Sequence, residues 1–192
     1  MEMVKKLKGK VCCLSPIDGS YAEKVAQWSN DLELSLLTGD ISDMITVELQ
    51  RQYLENMNNP GRYGFYILDA EGSEVIGIVR LMRVNLVGRS AVAGIFIGEK
   101  DVRGKGIGTE AANLLLDFGF NVLNLRNIMA EVFSFNKASL KICEKCGFKE
   151  IGRRRNVIRY GQYEFDEVFL DILDTEFNAS VIKAGLENII NG

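Results

Sequence analysis

The chain of 192 residues contains no histidine. That absence removes Ser-His and Cys-His nucleophilic mechanisms together with every His-ligated metal centre. Any catalysis must then run on carboxylates, Tyr, Ser, Cys, Lys or main-chain groups. Only two prolines occur, and no Ser/Gly/Pro-rich or single-sign charged stretch interrupts the chain, so neither a linker nor a disordered tail is evident. No apolar run approaches the roughly 18 to 20 residues that span a bilayer, and the basic segment Met1 to Lys10 lacks the continuous apolar core of a secretory signal. The expectation is a cytoplasmic protein without a membrane partner. Strong positive charge is also missing: the formal net charge is −3 and Arg153-Arg154-Arg155 is the sole basic cluster, which argues against a nucleic-acid partner. The four cysteines lack zinc-site spacing, because Cys12 and Cys13 are adjacent and Cys143-x-x-Cys146 falls in a helical segment. They read as reduced, packed thiols, and no metal is expected.

What is present is an ordinary globular composition, 47% hydrophobic and 26% charged, sufficient for one domain with a substantial core. A first strand is expected from Gly9 to Ser15, followed by a helix carrying Tyr21, Val25 and Trp28 on one face. Thr46 is a suitable N-cap for a second helix with Leu49, Tyr53, Leu54 and Met57 on its apolar side, stopped by Asn58-Asn59-Pro60-Gly61. Residues 63–69, 74–84 and 89–98 are rich in aromatic and β-branched types and read as an antiparallel meander. The period then becomes helical from Gly106 to Leu123, with Ile107, Ala111, Leu114, Leu115 and Phe118 on one face. A strand is expected at 127–134 and a short helix between Asn136 and Gly147. Two strands, 148–159 and 163–173, flank Tyr160-Gly161-Gln162, and Thr175 to Asn191 reads as a terminal amphipathic helix. The order β-α-α-β-β-β-α-β-α-β-β defines an α+β domain with a mixed sheet.

Chemistry concentrates in Asp101-Val102-Arg103-Gly104-Lys105-Gly106-Ile107-Gly108-Thr109. Three alternating glycines cost backbone entropy, and their use is a turn in which successive N–H groups face one point at a helix N-terminus. Arg103 and Lys105 add positive charge, so the nest suits a diphosphate better than a single carboxylate. A nucleotide P-loop would need Ser or Thr after Lys105, where Gly106 stands. The dinucleotide fingerprint would need glycine where Thr109 stands, on a parallel strand-helix unit.

The stretch Arg103 to Gly108 resembles motif A of the GNAT superfamily of N-acetyltransferases: Arg or Gln, two residues, Gly, one residue, then Gly or Ala. The run Asn136-Lys137-Ala138-Ser139-Leu140-Lys141-Ile142-Cys143-Glu144-Lys145-Cys146-Gly147-Phe148 is similar to motif B, and the likeness spans residues 9 to 174. The Gly-Phe ending is similar to the branch containing ribosomal-protein alanine and spermidine acetyltransferases. The resemblance implies a mostly antiparallel mixed sheet of about seven strands, splayed in the middle and flanked by helices. It places a domain at 1–174 and a C-terminal helical extension at 175–192.

The resemblance further implies that acetyl-CoA is the cosubstrate. Main-chain groups of Phe96 and Ile97 would lie along pantetheine, and Arg103, Gly104, Lys105, Gly106, Ile107, Gly108 and Thr109 would hold the diphosphate. Asn136 and Ser139 would contact the cosubstrate from the other side. Transfer in this family proceeds by direct attack of a neutral amine on the thioester. A lysine-like amine is neutral only about 0.04% of the time at pH 7, a penalty of roughly 4.6 kcal/mol, against about 1.2 for an α-amine. A base therefore matters most for the former. Glu131, beside the expected splay, is the leading base candidate. Many relatives carry Tyr seven residues after the motif-B Asn as general acid; Cys143 stands there, with Ser139 and Tyr160 as alternatives. Asp31, Glu33, Asp40, Asp43, Asp166 and Glu167 are candidates to attract a small-molecule amine or a peptide N-terminus. A homodimer is compatible with the sequence. A non-catalytic acyl-CoA-binding module and a nucleotide-binding protein are the competing readings.

Overall fold

The computed structural model describes residues 3–191. Met1, Glu2 and Gly192, the outer limits of the expected domain and extension, lie outside the described residues. One eight-stranded sheet runs β1-β2-β3-β4-β5-β6-β8-β7. Its strands are β1 (Leu7–Lys8), β2 (Cys13–Pro16), β3 (Tyr63–Leu68), β4 (Val75–Asn85), β5 (Ser90–Ile97), β6 (Asn127–Phe133), β7 (Lys149–Tyr160) and β8 (Tyr163–Leu173). Every neighbouring pair is antiparallel except β5–β6.

The sheet has one strand more than the sequence suggests, because the expected first strand is broken. Gly9 N donates to Cys12 O at 2.9 Å, closing a turn between β1 and β2. The Glu110 carboxylate reaches that turn from a distant helix and accepts from the N–H groups of Lys10, Val11 and Cys12 at 2.7, 2.6 and 2.8 Å.

Among the described residues six α-helices accompany the sheet: α1 (Ala22–Ser29), α2 (Leu32–Thr38), α3 (Val47–Glu55), α4 (Ile107–Asn121), α5 (Lys137–Cys146) and α6 (Val181–Asn191). The expected caps are present. Thr46 accepts from Leu49 N at 3.2 Å and Asn136 from Ser139 N at 3.1 Å, while Gly147 ends α5 at φ +90°. Helix α2 is not legible as a periodic segment; its seven residues form because Asp31 caps Leu34 N at 3.1 Å and Gly39 closes the other end at φ +86°. Helix α4 is the central one. Its Ala111, Leu114, Leu115, Leu116 and Phe118 are buried in one cluster with Ile67, Leu81 and Ile128 of the sheet, full burial of each Leu, Ile or Phe stabilising by about 1.5 to 3 kcal/mol.

The terminal helix starts at Val181, later than the periodicity suggests, because the preceding residues are packed differently. Phe177 is buried against Phe120, ring centroids 5.5 Å apart. Asp117, fully buried in α4, accepts from Val181 N at 2.7 Å, Ile182 N at 3.0 Å and Ser180 Oγ at 2.6 Å. A mid-helix carboxylate on α4 thus serves as the N-terminal anchor of α6. No helix among the described residues is long and apolar enough to cross a membrane.

Candidate active site

The parallel pair β5–β6 is the feature that opens the sheet. The two strands are in register only from Ser90↔Asn127 to Ala93↔Ala130. Beyond that point β5 continues beside β4, from Gly94↔Arg80 to Ile97↔Gly77, while β6 continues beside β8 to Phe133↔Glu167. Gly94–Ile97 and 131–133 therefore have no ladder partner on their facing sides, and main-chain donors and acceptors there are available to a ligand. The splay that the resemblance implies is present, between β5 and β6.

A cavity of about 660 Å³ fills this opening. Phe96 of β5, Glu131 of β6, and Asn136, Ser139 and Cys143 at α5 all line it, so the sequence-derived candidates from separate elements meet in one place. Tyr160 does not line the cavity, and its hydroxyl donates to Leu36 O at 3.3 Å. Ile97 packs into the main core beside the opening. The Asn136 amide is committed at both ends: Oδ1 caps α5 and Nδ2 donates to Leu37 O at 3.3 Å, joining α5 to the end of α2. Burial pushes the Cys143 thiol up from 9.0 to about 11, so it keeps its proton at neutral pH. Glu131 is ion-paired with Arg83, a residue in the left-handed region at φ 51° within the β4 irregularity between Met82 and Asn85.

The glycine loop stands at the N-terminus of α4, outside the cavity lining. Gly104 and Gly106 have φ of +79° and +85°, and a Cβ on either would meet nothing within 4 Å. The space over the loop is open. Gly106 is the N-cap of α4, and no side chain caps that end, so the first-turn N–H groups are free to take an anion together with the helix dipole. Gly108 has another use: a Cβ there would lie 2.7 Å from Ile142 Cδ1, so glycine permits α4 and α5 to approach closely. Arg103 donates from Nη1 to Glu33 Oε1 at 2.6 Å, while its Nη2 is buried without a hydrogen-bond partner. These features fit a diphosphate: open glycine backbone, uncapped amides, and a guanidinium with an uncommitted donor.

The acidic residues separate into two groups. Asp31 and Glu33 face the loop, holding Lys100 at 3.2 and 3.0 Å, and the Arg103 hydrogen bond followed by that of Lys100 holds the Glu33 carboxyl below its usual range. Asp40, Asp43 and Glu167 line the cavity. Asp166 instead accepts from Asn156 N at 3.1 Å. Sequence reasoning missed Arg80 and the role of Tyr53, both of which line the cavity. The available signal was an arginine inside the otherwise apolar run Ile78-Val79-Arg80-Leu81-Met82.

Residues 12–149 match the acetyltransferase (GNAT) domain, and the chain belongs to that family. A probable N-acetyltransferase of Bacillus subtilis, YjcK, is 34% identical over 183 residues, covering 88% of this chain and 98% of that protein. A spermidine N(1)-acetyltransferase of Vibrio cholerae is 33% identical over 105 residues, 55% of this chain and 60% of that protein. The crystal structure of the Vibrio cholerae spermidine N-acetyltransferase in complex with CoA and spermine has the same fold, with a TM-score of 0.78 over 88% of this chain and 98% of that one at 22% identity. The protein is thus an N-acetyltransferase with acetyl-CoA as its acyl donor.

Proposed function

We propose that the chain acetylates the primary amine of a small molecule by direct attack within a ternary complex, in the cavity between β5 and β6. The carrying observation is the divergence of these strands after Ala93 and Ala130, beside a helix that starts with an uncapped glycine nest. Amides from Arg103 to Thr109 take the diphosphate, and the free edge through Phe96 and Ile97 takes the pantetheine amides. Asn136 shapes the opposite wall by holding α5 against α2, and Ser139 presents a hydroxyl to the cosubstrate.

Acetyl-CoA, when bound, supplies the thioester carbonyl. The amine nitrogen forms the new N–C bond, the C–S bond breaks, and the two protons lost by nitrogen reach solvent and the departing sulfur. Glu131 is the proposed acceptor of the first, acting through water because Arg83 already occupies part of its carboxylate. Cys143 is the proposed donor to sulfur; its raised pKa keeps the proton available up to alkaline pH. The cytoplasm is the proposed compartment, supported by four cysteines that are all unpaired.

The test is release of free thiol from acetyl-CoA in the presence of polyamines, amino sugars, amino acids and peptide N-termini, with mass spectrometry of the acetylated product. Amine-dependent release with the acetyl group on the amine is expected. Tight CoA binding without turnover on any amine would replace this reading with a non-catalytic acyl-CoA-binding module.

A further inference from the structure

The cavity has an arginine with no carboxylate. Among the described residues five charged side chains line it: Asp40, Asp43, Arg80, Glu131 and Glu167. Two of the carboxylates have their own guanidinium, Glu131 through Arg83 and Glu167 through Arg154 at 3.4 Å. Arg80 makes no ion pair among the described residues. Among the described residues its one side-chain partner is the Tyr53 hydroxyl, to which Nη1 donates, and the guanidinium carbon lies 5.8 Å from the Tyr53 ring centroid. A guanidinium carries five N–H donors in a planar fork that matches a carboxylate, so most of its capacity is unspent.

Position gives this spare capacity a purpose. In the β4–β5 ladder Arg80 is opposite Gly94, the first β5 residue beyond the end of the β5–β6 pairing. A Cβ at Gly94 would sit 3.3 Å from Arg80 Nε, so glycine makes room for the arginine stem over the mouth of the opening. Arg80 is half-buried there, held by Tyr53 of α3, while Asp40 and Asp43 line the same cavity from the segment after α2. A bound acceptor thus meets carboxylates and, separately, an uncompensated cation beside the edge where the proposed acyl transfer takes place.

We infer that Arg80, oriented by Tyr53, is a carboxylate-binding subsite of the acceptor pocket, and that the acceptor is an amino-acid-type molecule carrying both a primary amine and a carboxylate. This rests on the acetyl-transfer reading for its chemistry, and on the cavity alone for its charge. A polycation would find Asp40 and Asp43 but would bring no acceptor for the Arg80 fork, leaving those donors unspent.

The experiment uses amine pairs that differ only by the carboxylate: phenylalanine with phenethylamine, and lysine with 1,5-diaminopentane, with spermidine as a polycation. Wild-type kcat/KM is expected to favour the carboxylate member of each pair by about tenfold or more, the effect of one charge-assisted hydrogen bond. Arg80→Leu should erase that preference, Arg80→Lys should retain part of it, and both should keep the wild-type affinity for CoA. A wild-type preference for the decarboxylated member or for spermidine would overturn the inference, as would an unchanged ratio in Arg80→Leu. A binding arm keeps the subsite separable from catalysis: N-acetylphenylalanine and N-acetylphenethylamine are titrated by calorimetry into the CoA complex. Arg80-dependent preference for the former without any turnover would uphold the subsite and remove the transfer reading, whereas equal affinities would remove the subsite.

Discussion

Replacing Gly106 by alanine separates the conformational demand of the glycine loop from its packing. At φ +85° an added Cβ meets no atom within 4 Å, so nothing in the protein is crowded. The cost is purely conformational, about 1 to 2 kcal/mol for an L-residue in the left-handed region. For a chain of 192 residues that corresponds to a fall in Tm of roughly 2 to 8 °C if the loop keeps its shape. If the loop relaxes instead, Tm is spared and the amides no longer converge. With two amide contacts to a charged oxygen lost, at about 1.5 to 3 kcal/mol each, CoA affinity falls by roughly 10² to 10⁴-fold. Calorimetric titration with CoA and a thermal scan of the same variant measure both effects. Gly152→Ala is the control, since Gly152 also faces open space but lies in β7 without a left-handed backbone. CoA affinity within about threefold of wild type together with an unchanged Tm in Gly106→Ala would refute the assignment of the loop.

Cys143→Ala should lower kcat by about tenfold or more while leaving the KM for acetyl-CoA unchanged, read by thiol release; an unaltered kcat would reduce Cys143 to a packing residue. Glu110→Ala leaves the amides of Lys10, Val11 and Cys12 without their acceptor, a loss of roughly 2 to 4 kcal/mol visible as a lower denaturant midpoint. Asp117→Ala removes the acceptor for the first turn of α6; loss of helical signal by circular dichroism, with the main cooperative transition retained, is the expected outcome. Burial raises the thiols of Cys143 and Cys146 from 9.0 to about 11 and about 12. The folded state therefore holds protons that the unfolded chain releases, and stability should fall as pH rises from about 9 toward 11. A Tm unchanged across that window would contradict the burial of these thiols.

The parts of the fold that were legible in the sequence are those that local backbone chemistry enforces. A left-handed residue before a helix has to be written as glycine, so the Gly104-Gly106 nest declared itself, as did the Thr46, Asn136 and Gly147 caps. The strands on either side of the opening were legible as strands, whereas the opening between them came from the family resemblance and not from the strand pattern. What stayed hidden depends on tertiary pairing. Asp31 and Glu33 look like neighbours of Asp40 and Asp43 in the sequence, yet Lys100 and Arg103, some 69 and 70 residues away, draw them to the loop. Glu110 and Asp117 of α4 drew no reading from the sequence, and each anchors distant backbone. Arg80 was missed because the cavity on that face is built from elements far along the chain.

Main-chain amides of the loop are the proposed holders of the cosubstrate's diphosphate. Amide proton–nitrogen correlation spectra recorded while CoA is added, with pantetheine as the ligand lacking a diphosphate, observe those amides one by one. The largest shifts are expected on the amides of Gly104, Gly106, Ile107 and Gly108 with CoA, and these signals should stay in place with pantetheine. Saturating CoA that moves other resonances and leaves these four unmoved would contradict it.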